Sequence, residues 1–556
     1  MSDFAQSITL EEIEEQVKLK FPSHKKFNDG QFQIIMKILS SFLIDGNKFY
    51  ILEAPTGIGK SVIAKTVANV INYFTVPNSK IITCNRLLQR QYSSDFDDMK
   101  NIESSKHYDC AISLFKGAAS THYNDIDCGG RSCPSIGRCD YFNAFNAFIN
   151  APTGITNYAY YLMNAEINSN LLIADEAHNM ESLICTHYSI ELESEQVNGL
   201  FKYMKKIQVD NESASKIRRG FLEMRSYISG QTENLFFLDD FIYNIGLMYK
   251  RLTSEILKHK RGSKTTLIFS GKEDHLSKCK SHIEYLKRLE VLLQIFRSNP
   301  SSYIKMYSIE NNGSEDLVKA ILKPLEPRHI ARILFDRSKY VLLMSATICG
   351  VEEFAANLGI TNFGFDCLSS PFPVENRLIM LHNLEGLNNG NFSQLVDLYI
   401  QKMDEILDFH IEDRGLIHTV SYSNQKLIES KSRHAKRFIL PKRGELFNID
   451  KLKSTKNGIL LSPSMTEGVD LSDDLSRFQI IFKMPFANLG DKWIKKKMEL
   501  SYVWYLIQVA RTFSQSCGRS VRHKEDSAIT HVIDGNINKI QHLLPKYIQE
   551  ALKEDN

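Results

Sequence analysis

A chain of 556 residues with 43% hydrophobic and 24% charged residues has an ordinary globular composition and length for about three to four domains. Its formal net charge is only +3, so a polyanionic partner would have to be met by local basic stripes and not by a global field. No apolar run approaches the ~20 residues of a membrane span, and the acidic start, Glu11-Glu12-Ile13-Glu14-Glu15, is no secretory signal.

The chain is therefore expected in the cytoplasm. Six scattered cysteines, Cys84, Cys185, Cys279, Cys349, Cys367 and Cys517, suit thiols kept reduced in such a compartment. Two basic stripes stand out, Lys258-His259-Lys260-Arg261-Gly262-Ser263-Lys264 and Lys495-Lys496-Lys497, each by itself a solvated face.

Residues 1–26 predict a short helix and a break at Pro22. Phe27-Asn28-Asp29-Gly30-Gln31 then opens an amphipathic helix running from about Phe32 to Leu43. Phe49-Tyr50-Ile51-Leu52 reads as a buried strand, and Val62 to Val70 as a helix. Between them lies Ala54-Pro55-Thr56-Gly57-Ile58-Gly59-Lys60-Ser61. Strand, glycine turn, Gly-Lys-Ser and helix is the context of a phosphate-binding loop. The glycines let backbone N–H groups converge on an anion, and the helix N-terminus adds partial positive charge. Lys60 would neutralise β/γ-phosphates and the Ser61 hydroxyl would hold Mg²⁺. Ala54 departs from the strict G-x-x-x-x-G-K-S/T pattern, which wants glycine there. A glutamine one helix upstream of such a loop, Gln31, can read an adenine edge, because its amide both donates and accepts.

Lys80-Ile81-Ile82-Thr83 predicts a second strand, running into a polar turn and helix from Cys84 to Gln91. From about 100 to 150 the βα rhythm breaks. Cys110, Cys128, Cys133 and Cys139 follow the pattern C-x17-C-x4-C-x5-C among Gly129, Gly130, Pro134 and Gly137. So loop-rich a segment cannot hold itself together by apolar burial, and a metal centre is the physical solution. Zinc sites usually carry C-x2-C knuckles, absent here; the irregular spacings suit a four-thiolate iron–sulfur cluster, with zinc left open.

Leu171-Leu172-Ile173-Ala174-Asp175-Glu176-Ala177-His178 predicts a buried parallel strand with two carboxylates at its C-terminal end, where α/β sheets bind ligands. Asp175 would complete a Mg²⁺ shell, and Glu176 would orient and deprotonate an attacking water. From about 195 to 325 amphipathic helical patterns dominate, with basic and aromatic residues interleaved. The rhythm resumes at Tyr340–Met344, followed by Ser345-Ala346-Thr347, whose hydroxyls would lie beside the nucleotide and link its state to the neighbouring domain. After Pro371-Phe372-Pro373, strands are expected at Gly415–His418 and Gly458–Ser462, the latter leading into Met465-Thr466-Glu467-Gly468-Val469-Asp470. Gln515-Ser516-Cys517-Gly518-Arg519-Ser520-Val521-Arg522 predicts a helix with Arg519 and Arg522 on one face, an arginine-finger arrangement.

With these motifs the chain, from Gln31 to Arg522, resembles a superfamily 2 helicase of the iron–sulfur XPD/DinG family. The spacing of Cys128, Cys133 and Cys139, Thr156-Asn157-Tyr158, and the run from Pro485-Phe486 to Asp491 look more like DinG. Loops of the form A-x-T-G-x-G-K-S occur in such helicases, which accommodates Ala54. The resemblance implies an α/β fold of two RecA-like P-loop motor domains, with an iron–sulfur insertion and a helical arch in the first. The expected divisions are 1–100, 156–195 and 329–350 for the first motor, 101–155 for the cluster domain, 196–328 for the arch and 351–556 for the second motor. ATP, Mg²⁺ and a 4Fe–4S cluster on the four clustered cysteines would be the cofactors. Lys60, Asp175, Glu176, Arg519 and Arg522 would carry catalysis. Gln31, Thr56, Gly57, Gly59, Ser61, His178, Thr347, Gly468, Asp470 and Gln515 would complete the nucleotide site, His178 and Thr347 coupling hydrolysis to closure.

The activity so implied is ATP-driven 5′→3′ translocation on single-stranded DNA with unwinding of forked or tailed duplex, by a monomer that needs no membrane. It would act in the cytoplasm, as a nucleoid-associated protein or a viral one in its host. Departures are Asn28, where the family usually has arginine, and Thr466, where an aromatic usually precedes Glu467-Gly468. Other readings of the same residues are a translocase that strips protein or RNA without processive unwinding, an adaptor with a vestigial ATPase, and a redox-sensing DNA binder.

Overall fold

The computed structural model describes residues 8–108, 136–206, 209–260, 273–311, 316–388, 390–440, 449–463 and 471–555. Two seven-stranded sheets, parallel throughout, form its core. The first runs, edge to edge, Phe363–Cys367, Phe49–Glu53, Ser338–Ser345, Ser169–Asp175, Ser79–Thr83, Thr153–Asn157 and Lys100–Asn101. Covered on both faces, its central strands are apolar runs sorted by pleat. Ile51, Leu172, Ala174, Val341 and Leu343 feed one cluster, and Leu52, Leu171, Ile173, Leu342 and Met344 the other. The helix Lys60–Phe74 lies on the second face through Ile63, Ala64, Val67 and Ile71, all fully buried.

The second sheet runs Phe438–Ile439, Ile459–Ser462, Gly415–His418, Phe478–Ile481, Ile529–Asp534, Ile379–Leu384 and Leu552–Glu554. Both sheets thus have the architecture expected of paired motor domains. The first takes Phe363–Cys367 as its edge strand, in register with Phe49–Glu53, so it draws on chain beyond residue 350.

The region between the Asp175 strand and Ser338 is not helical alone. Helices Ser194–Lys206, Asn211–Ile228, Leu238–Lys260 and Glu273–Ser298 are joined by an antiparallel sheet of Ile190–Glu193, Tyr303–Asn311 and Asp316–Pro324. Val318, Ala320 and Leu322 alternate inward along the last of these, a period-two signal that the surrounding helices overshadow.

Cys110, Cys128 and Cys133 lie outside the described residues, as do Gly468 and Asp470. Cys139 is the N-cap of the helix Asp140–Asn150, its Sγ accepting the Phe142 N–H at 3.5 Å. The far end of that helix is tied to the first sheet by Lys80, whose Nζ donates to the Ala151 carbonyl at 3.4 Å and sits 5.1 Å from the Phe148 ring centre. Among the described residues, no helix is long and apolar enough to cross a membrane.

The Lys495–Lys497 stripe is broken by the fold. Lys497 turns inward and is 4% exposed, with its Nζ 2.6 Å from Glu181 and donating to the Leu325 carbonyl at 3.1 Å. Trp504 Nε1 donates to the same carboxylate at 2.9 Å, and Glu181 is itself 4% exposed. This buried joint binds the helix after the Asp175 strand, Met180–His187, to Lys492–Leu500 and Tyr502–Cys517 of the second half.

Candidate nucleotide site

The phosphate loop leaves the strand Phe49–Glu53 and turns on two left-handed glycines, Gly57 (φ 85°) and Gly59 (φ 84°). Both turns exclude a side chain as well as favour glycine. A Cβ on Gly59 would lie 2.4 Å from Gln31 Nε2, and one on Gly57 2.5 Å from Phe372 Cζ. Gly59 is the N-cap of the helix Lys60–Phe74, so Lys60 and Ser61 occupy its first turn. Lys60 Nζ donates to the Ala54 carbonyl at 3.1 Å, which folds the side chain back over the loop.

Gln31 is 1% exposed, and both ends of its amide are committed to backbone. Nε2 donates to the Ile58 carbonyl at 2.6 Å, and Oε1 accepts the Asn28 N–H at 2.7 Å. The glutamine therefore braces the phosphate loop in this structure, and Asn28 joins it by donating to the same Ile58 carbonyl at 3.4 Å.

Asp175 ends its strand at 3% exposure. Burial raises its pKa, and the neighbouring Glu176 carboxylate adds to the rise against the pull of Lys60. Oδ2 accepts from the Tyr92 hydroxyl at 2.8 Å and Oδ1 from the Glu176 N–H at 3.0 Å. Glu176 is held in the left-handed region (φ 54°), a strained conformation for a residue with a Cβ and one that concentrates at functional sites. A buried carboxylate and a helix-end hydroxyl are hard oxygen donors, and the set Ser61 and Asp175 fits Mg²⁺.

His178 joins the two halves. Its Nδ1 lies 2.7 Å from Ser345 Oγ and 3.3 Å from Glu176 Oε2, and its Nε2 lies 2.7 Å from Gln515 Nε2. Burial, with Arg511 and Lys60 nearby, pushes the imidazole pKa down to about 3, so the ring is neutral. Nε2 then accepts from the Gln515 amide and Nδ1–H donates to Ser345. Gln515 also donates to Thr347 Oγ1 at 3.3 Å, and Thr347 N–H donates to Ser345 Oγ at 3.0 Å. Glu176, His178, Ser345, Thr347 and Gln515 thus form one connected group spanning the two sheets.

The arginines require a correction. The helix expected through Arg522 is Tyr502–Cys517 and stops at Gly518, whose N–H bonds back to the Ser514 carbonyl. Arg519 and Arg522 follow in the turn, so no shared helical face aligns them. That turn is instead pinned by Asp526, fully buried, which accepts the Arg522 N–H at 3.0 Å and the Asp473 N–H at 3.1 Å. It borders a cleft lined by Pro55 and Thr56 on one side and by Cys517, Gly518 and Val521 on the other.

Tyr92, Glu181 and Arg511 are contributors that the motifs did not single out. Arg511, 5% exposed, donates from Nε to the Ile348 carbonyl at 2.9 Å, another link across the halves. The available signal was its position on the helical face of Trp504 and Ile507, seven and four residues earlier.

Residues 24–210 match the family described as "Type III restriction enzyme, res subunit", and residues 405–551 match "Helicase C-terminal domain". The chain is 21% identical over 545 residues to "ATP-dependent DNA helicase CHL1" of Kluyveromyces lactis, covering 85% of this chain and 65% of that protein. It is 22% identical over 455 residues to "ATP-dependent DNA helicase YoaA" of Haemophilus influenzae, covering 74% and 68%. The chain thus spans slightly less than two thirds of the length of its Kluyveromyces relative. Among solved structures, one titled "XPD_Helicase" superposes with a TM-score of 0.58 at 15% identity, covering 95% of this chain and 100% of that one. "Structure of S. tokodaii Xpd4" does so at 0.55 and 13%, with the same coverage. These likenesses share the two-sheet fold.

Proposed function

We propose that this chain, which belongs to the XPD/DinG-type helicases of superfamily 2, is an ATP-driven motor that translocates 5′→3′ on single-stranded DNA and unwinds forked or tailed duplex and DNA–RNA hybrids. The observation that carries the reading is the Gln515–His178 hydrogen bond, 2.7 Å, because it ties the carboxylate pair at the end of one sheet to the arginine turn of the other.

ATP would lie in the cleft between the halves, its phosphates on the N–H groups of Thr56, Gly57 and Gly59 and on Lys60. Mg²⁺, held by Ser61 and Asp175, would neutralise phosphate charge. Glu176 would orient a water and take its proton. His178, neutral, carries no charge that would compete with that proton. Arg519 and Arg522 would reach the phosphate charge that develops in the transition state, with Gly468 and Asp470 completing the second wall. Hydrolysis would then loosen the group around Gln515 and Thr347 and let the halves part, one step along the strand per cycle. Contacts to the strand are expected to be backbone charge and base stacking without sequence preference.

Cys110, Cys128, Cys133 and Cys139 would hold a 4Fe–4S cluster. The Cys139 sulfur already accepts a backbone N–H at a helix start, an arrangement that favours a thiolate ligand. We read the protein as a monomer of the cytoplasm, nucleoid-associated or viral. The 5′→3′ direction rests on kinship, since no residue chemistry sets it.

The test is ATP turnover and strand displacement by anaerobically purified protein on 5′-tailed and 3′-tailed duplexes, with its visible spectrum recorded. Displacement from the 5′ tail, with iron–sulfur absorption, is expected. Displacement from the 3′ tail alone would overturn the polarity, and stoichiometric zinc without iron would replace the cluster.

A further inference from the structure

The helix Arg86–Asp95 has two faces with different business. Outward it carries Arg86 and Arg90, whose side chains are 51% and 60% exposed and which share Glu103 at 4.0 and 2.9 Å. Inward it carries Gln89 and Tyr92, 0% and 1% exposed. Gln89 Nε2 donates to the Ile102 carbonyl at 2.7 Å, and its Oε1 accepts from Asn157 Nδ2 at 3.3 Å, so the inner face is fastened to the first sheet. Tyr92 goes further and delivers its hydroxyl to Asp175 Oδ2 at 2.8 Å.

That hydroxyl is not explained by packing. Phenylalanine would fill the same apolar space, and burying a hydroxyl costs free energy unless it is bonded. The bond it makes is to the carboxylate assigned to Mg²⁺. With Oδ1 held by the Glu176 N–H and Oδ2 by Tyr92, each Asp175 oxygen has one donor, and the plane of the carboxylate is set by the pair. Tyr158 adds a third constraint through the backbone, its hydroxyl donating to the Asp175 carbonyl at 3.1 Å.

We propose that the Tyr92 hydroxyl is the positioning group for Asp175, fixing the carboxylate for Mg²⁺ and tying that setting to the helix that presents Arg86 and Arg90. The inference rests on the motor reading above and adds a route to it. A strand that engaged Arg86 and Arg90 would bear on this helix, and among the described residues the polar group the helix sends inward to the carboxylate pair is this hydroxyl. Partners of metal ligands in the second layer typically govern metal affinity by ~10–100-fold.

The experiment is Mg²⁺-dependent binding of a fluorescent ATP analogue to the full chain, wild type against Tyr92→Phe, with and without a single-stranded oligonucleotide, together with the melting temperature of each protein. The half-saturating Mg²⁺ concentration should rise roughly 10-fold or more in Tyr92→Phe, the oligonucleotide should lose its effect on nucleotide affinity, and melting should fall only by what one lost hydrogen bond to a buried carboxylate costs. A wild-type Mg²⁺ requirement in Tyr92→Phe overturns the proposal, and a lowered melting temperature alongside it assigns Tyr92 to packing. Wild-type protein that binds the analogue without regard to Mg²⁺ would instead overturn the motor reading, and this proposal with it.

Discussion

Gln515 and His178 meet at 2.7 Å, amide nitrogen to ring Nε2, although 337 residues separate them. The histidine is neutral and accepts, so the bond exists only while the ring keeps its proton on Nδ1, facing Ser345 and Glu176. Gln515→Ala removes the donor and leaves the acceptor buried. Loss of one such bond costs ~1–3 kcal/mol. Turnover stimulated by single-stranded DNA should fall about 10-fold, with unstimulated turnover less affected. An undiminished ratio of stimulated to basal turnover would show that the bond carries no coupling.

Arg522→Ala should act on turnover and spare binding. An arginine finger contributes about 10³–10⁵ in rate in phosphoryl-transfer systems, by meeting charge that appears only in the transition state. We expect at least ~10³-fold lower kcat with near-normal nucleotide affinity, read from steady-state turnover and equilibrium binding. Equal losses in both would make Arg522 a ground-state contact.

Acid should destabilise the protein through three buried histidines. Burial holds His418 and His531 at about 3, and His178 likewise, against 6.5 for a free imidazole. Each depressed pKa means the unfolded chain binds a proton the folded chain refuses. The stability is therefore whole above pH 6.5 and is lost as pH falls from there toward 3, at up to about 1.4 kcal/mol per pH unit for each histidine. A melting temperature unchanged between pH 7 and pH 5 would contradict this.

Lys497→Met should be among the most damaging substitutions far from the phosphate loop. It strands Glu181, 4% exposed, with Trp504 as its remaining side-chain donor. Breaking a buried pair from one side costs ~3–5 kcal/mol, whereas Lys496→Met on the solvent face should cost under ~0.5 kcal/mol. Melting curves of the two variants decide it, and similar curves would mean that the joint bears no load.

The phosphate loop and the Asp175 strand were legible because their chemistry is local: glycines, a lysine and apolar runs contiguous in the chain. The helix carrying Gln515 was legible too, but not its end. Gly518 halts it one residue before Arg519, and periodicity that continues past a glycine gives no warning of that. Tyr92 escaped altogether. On a helix it reads as one more buried aromatic, and its partner lies 83 residues away, reached only once the sheet is assembled. Lys497 misled for the opposite reason: three consecutive lysines suggest a solvated face, yet one of them points to Glu181 across the fold.

The order of the first sheet has a consequence for how the chain is made. Phe49–Glu53, the strand that launches the phosphate loop, pairs with neither of its early neighbours in sequence; it lies between Ser338–Ser345 and Phe363–Cys367. On a ribosome adding 5–20 residues per second, its first partner emerges after about 290 further residues, about 15–60 s later. Until then both edges of an apolar strand stand open. Such late, non-local pairing makes the nucleotide site the last part of the first sheet to close, and the part most in need of chaperone cover during synthesis.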